Sequence, residues 1–348
     1  MYLFRKPLVG GVIAALILAV AIILLRPQLV TTPMSKLLPS PTPTTAPLLK
    51  YRIAQLQERS SAAGHIAIAS KKEDTEALAL PYRSRLFTFT SDGRRISGRL
   101  TLPAEPGTYP LIIMVRGYVP REIYYTGIGS ERSANYLASH GYVTLAPDFL
   151  GYGESDPGPA DGLEDRFATY TTLLDLLSTT DSLQGALDEA GFESATVDLS
   201  KTGIWAHSNG GQIALTVLAS TKLPIPTVLW APVSKPFPYS ILYYSDEAED
   251  EGYGLRRLIA DFEDTYRAKD YSFSNYLENI KAPIRIHQGT ADESIPVAWT
   301  ELITQKLTDA GVDVQTTYHV DENHNFNLGK WEEAIAATDE FYQESFKK

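Results

Sequence analysis

The chain has 348 residues, 21% of them charged, a formal net charge of −11 and no cysteine. That acidic balance, with no long basic run, argues against nucleic acid or anionic lipid as a partner. The lack of cysteine removes disulfides and any cysteine-borne lipid anchor.

Leu8 to Leu25 is an unbroken run of apolar residues and glycines flanked by Arg5, Lys6 and Arg26. At ~1.5 Å per residue it spans ~27 Å, enough to cross a hydrocarbon core. A cleaved signal peptide would have a shorter apolar region and a small-residue cleavage site. Residues 1–26 are therefore read as a transmembrane signal anchor, with Arg5 and Lys6 on the cytoplasmic side and the remaining chain outside. Residues 27–47, with prolines at 27, 33, 39, 41, 43 and 47, read as an extended tether. Residues 48–84 form a lead-in with Tyr51, Ile53 and Leu56 at mixed helical spacing and no assignable role.

From residue 85 to 348 the pattern becomes regular. Leu86–Thr90 and Ile96–Leu102 alternate as strands around Ser91-Asp92-Gly93, a hairpin signal. Apolar runs predict further strands at Leu111–Val115, Val143–Ala146, Gly203–Ala206, Thr227–Trp230, Ile284–Ile286 and Val312–Tyr318. Helices are predicted over Glu131–Ser139, Leu163–Leu177, Ser182–Glu189, Gly210–Ala219, Ala298–Ala310 and Trp331–Glu344. Continuous apolar strands alternating with helices mean a mostly parallel sheet covered on both faces. With its antiparallel opening hairpin, this is the element order of an α/β-hydrolase fold. No internal repeat is present, and there is no room for a propeller.

Thr202–Leu215 reads as a strand, a turn of small residues with Ser208 at its apex, and an apolar-periodic helix. Such a turn exposes a serine hydroxyl above the sheet, provided that small residues lie two before and two after it. Ala206 and Gly210 hold those positions. A serine needs a base, and the base an orienting acid, in the chain order Ser, Asp or Glu, His. Asp292, in the loop after Ile284–Ile286, and His324, after the last strand, fall in that order at strand ends. They are the candidate acid and base, with Ser208 the nucleophile. Asn209 and Tyr118 are the candidate oxyanion donors through their backbone N–H groups, Gly117 permitting the turn before Tyr118. Asp148 is read as structural support that ties loop N–H groups together.

The other histidines have bland readings. His140 sits near a helix C-terminus, His319 lies inside the last strand, His287 ends a strand, and His207 contributes more through its backbone than its ring. No metal site is assigned; His319, Asp321 and His324 lack a recognisable ligand spacing. No cofactor is implied. Residues 234–281 interrupt the pattern with an aromatic, acidic insertion that roofs the strand ends. Tyr239, Tyr243 and Tyr244 are its candidate substrate contacts. The acids Asp246, Glu247, Glu249, Asp250 and Glu251 read as a solvated loop.

These segments resemble those of the single-domain bacterial α/β-hydrolases grouped with the prolyl oligopeptidase (S9) serine peptidases. The resemblance runs from about Leu49 to the C-terminus. It is carried by Arg-Gly-Tyr-Val-Pro at 116–120, Pro-Asp-Phe-Leu-Gly-Tyr-Gly-Glu-Ser at 147–155 and Ala-His-Ser-Asn-Gly-Gly at 206–211. Gly-Thr-Ala-Asp-Glu-Ser-Ile-Pro at 289–296 and Asp-Glu-Asn-His-Asn-Phe at 321–326 complete it. The resemblance implies the same triad. The chain departs from it at Arg116, where the family has histidine, and at Ala206, where it has glycine. The expectation is a membrane-anchored, extracytoplasmic serine hydrolase cleaving short peptide or related acyl bonds. Its alternatives are a carboxylesterase for small or lipid-like esters and a non-catalytic binding scaffold. A small molecule or short peptide is the expected substrate, and the membrane is the partner of the N-terminal helix.

Overall fold

The structure, a computed structural model, describes residues 46–59, 64–69, 80–245 and 250–347. The apolar run, nearly all of the tether, and Asp246, Glu247 and Glu249 lie outside the described residues. Among the described residues no helix is long and apolar enough to cross a membrane.

One nine-stranded sheet organises the chain, in the order β1-β2-β3-β5-β4-β6-β7-β8-β9. The antiparallel edge is β1 (Ala67–Ile68), β2 (Tyr82–Ser91) and β3 (Arg94–Pro103). Asp92 and Gly93 turn β2 into β3 with φ of 49° and 74°, the left-handed pair that matches strand twist in a two-residue hairpin. Strand β3 pairs antiparallel with β5 (Val143–Pro147). From there β4 (Gly107–Val115), β6 (Ala195–His207), β7 (Thr227–Trp230), β8 (Ile284–Gly289) and β9 (Val314–His319) run parallel.

The apolar run of β4 shows why a parallel sheet results. Side chains alternate across a strand. Leu111, Ile113 and Val115 join the core on one face, while Ile112 and Met114 join that on the other. Both faces are therefore buried. The larger core is covered by α3 (Gly162–Thr179) and α5 (Asn209–Thr221), the smaller by α2 (Glu131–Ser139) and α9 (Trp331–Ser345). Asp161 starts α3 by accepting from the N–H groups of Leu163 and Glu164. Three helices complete the regular pattern, α1 (Ile53–Glu58) in the lead-in, α4 (Leu183–Glu189) and α8 (Val297–Asp309).

Two outcomes differ from the sequence expectations. Strands β4 and β6 start earlier than their apolar segments, because Gly107–Pro110 ladder with Ala195–Asp198 before the register shifts. Those residues are mostly half-exposed, so they carry no apolar signal. The lead-in, left without a role, is part of the core. Its helix α1 (Ile53–Glu58) buries Ile53 and Leu56, and Tyr51 packs on Phe167 with ring centroids 5.9 Å apart. Arg59 clamps it with a two-pronged bond to Asp175 at 2.8 and 3.0 Å.

Ile53 is fully buried, so Ile53→Ala should destabilise the protein by about 2–5 kcal/mol, as large-to-small core substitutions do. Urea unfolding of the full chain measures this. A loss below about 0.5 kcal/mol would place the lead-in outside the cooperative core.

Candidate active site

Ser208 occupies the step between the end of β6 and the start of α5, with φ 54° and ψ −122°. A serine held there costs about 1–3 kcal/mol and persists only where the surroundings over-determine it. Its N–H donates to the Trp230 carbonyl at 3.0 Å, and its carbonyl accepts from Gly211 and Val233 at 2.9 Å each. Gly210 is forced, since a Cβ there would lie 2.0 Å from the Val115 carbonyl oxygen. Ala206 is fully buried, and its methyl group is accommodated. Gly117 was expected to serve a turn. It serves a close approach instead, because its Cβ would meet the Ser208 Cβ at 2.8 Å.

Asp292 and His324 come together. The Asp292 Oδ2 accepts from His324 Nδ1 at 3.0 Å and from Gln288 Nε2 at 2.9 Å. Its Oδ1 takes the N–H groups of Ser294 and Ile295 at 2.8 Å each. Burial opposes its charge, but the His324 bond and these N–H donors outweigh burial and hold its pKa below the usual carboxylate value. The bond to Asp292 places the His324 proton on Nδ1 and leaves the Nε2 lone pair as the basic site. Gln288 escaped the sequence reading. A fully buried glutamine at the end of an apolar strand, pinned by Thr300 at 2.7 Å, was the available signal.

The His324 loop hangs on two carboxylates, Glu293 and the buried Glu322. Its N–H donates to Glu293 Oε2 at 3.2 Å. Glu322, fully buried, accepts the N–H groups of Asn323, Leu328 and Lys330 at 3.0, 2.7 and 2.6 Å. The ring of His207 matters more than expected. It packs on the His324 ring at 4.8 Å between centroids and meets the His324 carbonyl through Nε2 at 3.0 Å. Burial, then repulsion by His324, pulls the His207 pKa down to about 3, so the ring is neutral and Nε2–H is the donor. His207 thus links the serine elbow to His324, the candidate base. The interior reading of His319 holds: its Nε2 lies 3.0 Å from Nδ1 of buried His287. Among the described residues no cluster of three ligating side chains could hold a metal.

Gly117, Tyr118 and Asn209 line a cavity of about 170 Å³. Arg116, in place of histidine, is buried in its wall with its guanidinium 4.3 Å from the ring of Tyr152 and 4.6 Å from that of Tyr124. It donates to the carbonyls of Gly117 at 2.9 Å and Asp148 at 2.6 Å, which fixes the loop that carries Tyr118. Asp148 does support this loop, but through hydroxyl groups and not backbone N–H groups. Ser97, Tyr124 and Thr126 donate to its carboxylate at 2.6, 2.5 and 2.8 Å.

The insertion contributes α6 (Tyr239–Leu242) and α7 (Tyr253–Glu263). Its pocket contacts are Ile241, Leu255 and Leu258, not the expected tyrosines. Ile241 points inward on α6, which turns Tyr239 and Tyr243 outward to 60% and 48% exposure. Tyr243 meets Trp299 edge-on at 4.6 Å, and the Tyr244 hydroxyl donates to the Ser294 carbonyl at 3.0 Å. Phe237, Phe262 and Tyr271 pack around Phe167 in the core instead of roofing the cavity.

Comparison with known proteins agrees with this architecture. The chlorophyllase family model matches residues 95–228, and the dienelactone hydrolase family model matches residues 266–347. The chain has the α/β-hydrolase fold. The hydrolase is 25% identical over 253 residues to an uncharacterized peptidase, YtmA, of Bacillus subtilis, covering 70% of this chain and 87% of that protein. It is 28% identical over 228 residues to dipeptidyl peptidase 4 of Bos taurus, covering 62% of this chain but 26% of the relative. These relatives agree with the prolyl oligopeptidase-like resemblance and with a serine hydrolase. Among solved structures, an acetyl xylan esterase from Paenibacillus sp. R4 aligns with a TM-score of 0.56 at 16% identity over 83% of this chain and 91% of that one. A puromycin hydrolase aligns at 0.55 and 20% identity over 78% of this chain and 41% of that one. At those identities the structures attest the fold.

The His207 ring has a consequence for pH. Its folded pKa lies below the ordinary value of 6.5, so its contribution to stability is complete above pH 6.5 and is lost as pH falls toward about 3. The slope for one group is at most about 1.4 kcal/mol per pH unit. In urea unfolding followed from pH 7 to 4, His207→Phe should show a shallower fall than wild type. Parallel curves would assign the acid sensitivity to other groups.

Proposed function

We propose that this α/β-hydrolase cleaves carboxylic esters of small acyl groups through an acyl-enzyme formed on Ser208. The observation that carries the reading is the cavity beside Tyr118 and Asn209, walled by Ile213 and by the insertion's Ile241, Leu255 and Leu258. An apolar wall next to the reacting carbonyl suits an uncharged acyl chain close to the ester.

In this reading Ser208, His324 and Asp292 act as nucleophile, base and orienting acid. His324 Nε2 takes the Ser208 proton as Oγ attacks the acyl carbon, and Asp292 stabilises the imidazolium. The N–H groups of Tyr118 and Asn209 receive the oxyanion, a donor of this kind contributing about 3–4 kcal/mol where one has been removed. His324 then protonates the leaving alkoxide. A water molecule, deprotonated by the same nitrogen, releases the acid and restores Ser208.

Peptide cleavage is the second reading, favoured by the similarity to YtmA and the dipeptidyl peptidases and by Asp165, a carboxylate in the cavity wall that can meet a substrate amine. The anchor and the extracytoplasmic placement belong to the same proposal and rest on the apolar run and the charges of Arg5 and Lys6.

A fluorophosphonate probe should label the full-length chain and fail to label Ser208→Ala. The wild type should hydrolyse p-nitrophenyl esters faster than aminoacyl p-nitroanilides, and Ser208→Ala should lose at least about a thousandfold in kcat. Faster anilide cleavage would move the peptidase reading to first place. A folded chain that resists the probe would leave the binding scaffold.

A further inference from the structure

The cavity is apolar along most of its wall, and its charged lining residues are Arg116, Asp165 and Arg166. Arg166 lines it from α3. Its Nη2 donates to Gln212 Oε1 on α5, and Gln212 donates through Nε2 to Ser240 Oγ at 3.3 Å. The Tyr170 hydroxyl is its other polar neighbour. These partners are neutral. The Nε of Arg166 is buried and has no hydrogen-bond partner, and among the described residues no carboxylate forms an ion pair with this guanidinium.

The remaining charges on the wall are differently placed. Arg116 spends its donors on the Gly117 and Asp148 carbonyls and the Tyr124 hydroxyl. Asp165 lies 4.0 Å from Arg121 and turns toward Gly158, whose Cβ would meet its Oδ1 at 2.3 Å. Burial raises the Asp165 pKa against the pull of Arg121 and Arg94, which weakens its opposition to an anion in the cavity. Arg166 is thus a half-buried guanidinium held in position by neutral partners, with no carboxylate paired to it among the described residues.

We propose that Arg166 binds a carboxylate at the far end of the acyl group, so that the preferred substrates are monoesters of short dicarboxylic acids. The proposal rests on the ester-hydrolase reading and adds a specificity determinant to it. Gln212, which holds the guanidinium, stands one helical turn beyond Ser208, roughly 6 Å along α5. A spacer of about two to four methylenes between ester and carboxylate spans that distance. The apolar side chains of Ile241, Leu255 and Leu258 then cover the spacer, and the planar guanidinium meets the two carboxylate oxygens.

The test compares kcat/KM for monoethyl glutarate and ethyl butyrate, followed by proton release, in the full-length chain and in Arg166→Met and Arg166→Lys. Their ratio is independent of how much of each variant is folded. The wild type should favour the glutarate ester by roughly ten- to a hundredfold, the range for a hydrogen bond to a charged group. Arg166→Met should bring the ratio to about one or below, and Arg166→Lys should restore part of it. A wild-type ratio near one, or a Met variant that keeps the wild-type ratio, would overturn the anion site while leaving the ester reading intact. Failure to turn over either ester, with no fluorophosphonate labelling of Ser208, would overturn both. Preference for ethyl 4-aminobutyrate over both esters would assign the wall to Asp165 and a cationic substrate.

Discussion

The strained backbone at Ser208 is the constraint on which the rest of the site depends. A non-glycine residue at φ 54° and ψ −122° stays there because backbone bonds to Trp230 and Val233 tie the elbow to β7 and its exit loop, and a third, from Gly211, ties it to the first turn of α5. The same crowding dictates small residues around it. Gly210 lies against the Val115 carbonyl, and Gly117 lies against the serine itself. The β4 and β6 exits therefore touch, and this contact puts the candidate oxyanion donors beside Ser208, the candidate nucleophile.

The parallel strands deliver the remaining groups to the same edge. Strand β8 carries Gln288, ends in Gly289 and leads to Asp292, and β9 ends in His319 and leads to His324. Ligand sites form beyond the carboxyl ends of such strands because the strand backbones are rigid and the loops there are free to vary. What steadies these loops is a set of buried acids. Asp148 gathers three hydroxyls, Glu322 three N–H groups, and Asp292 two N–H groups and two side chains. Each buried charge is satisfied, so the polar network orders the site without the desolvation penalty of an unpaired group. Arg116 does the same for the oxyanion loop with carbonyl acceptors and aromatic faces.

Arg166 stands apart from that pattern. The buried charges of the site complete their bonding within the chain, whereas this half-buried guanidinium holds a neutral amide and keeps Nε unpaired. In a wall that also holds Phe149, Leu150, Ile213 and Leu255, such a group is the proposed partner of an anionic end of the substrate.

The sequence by itself determined the local features: the Asp92-Gly93 hairpin, the two-faced apolar strands, the small-residue elbow at Ser208, and the order of Asp292 and His324 after it. Each is written in neighbouring residues, through backbone sterics or through side-chain alternation. Only the tertiary structure decided which side chains meet across long separations. Tyr51 and Ile53 gave no periodic signal strong enough to show that the lead-in closes the core. Tyr239 and Tyr243 looked like a pocket roof, and the single turn of α6 faced Ile241 inward in their place. His207, Gln288 and Arg166 are residues of common type whose roles depend on partners at positions 324, 292 and 212. Their chemistry arises from distance and burial, and those are set by packing, not by spacing along the chain.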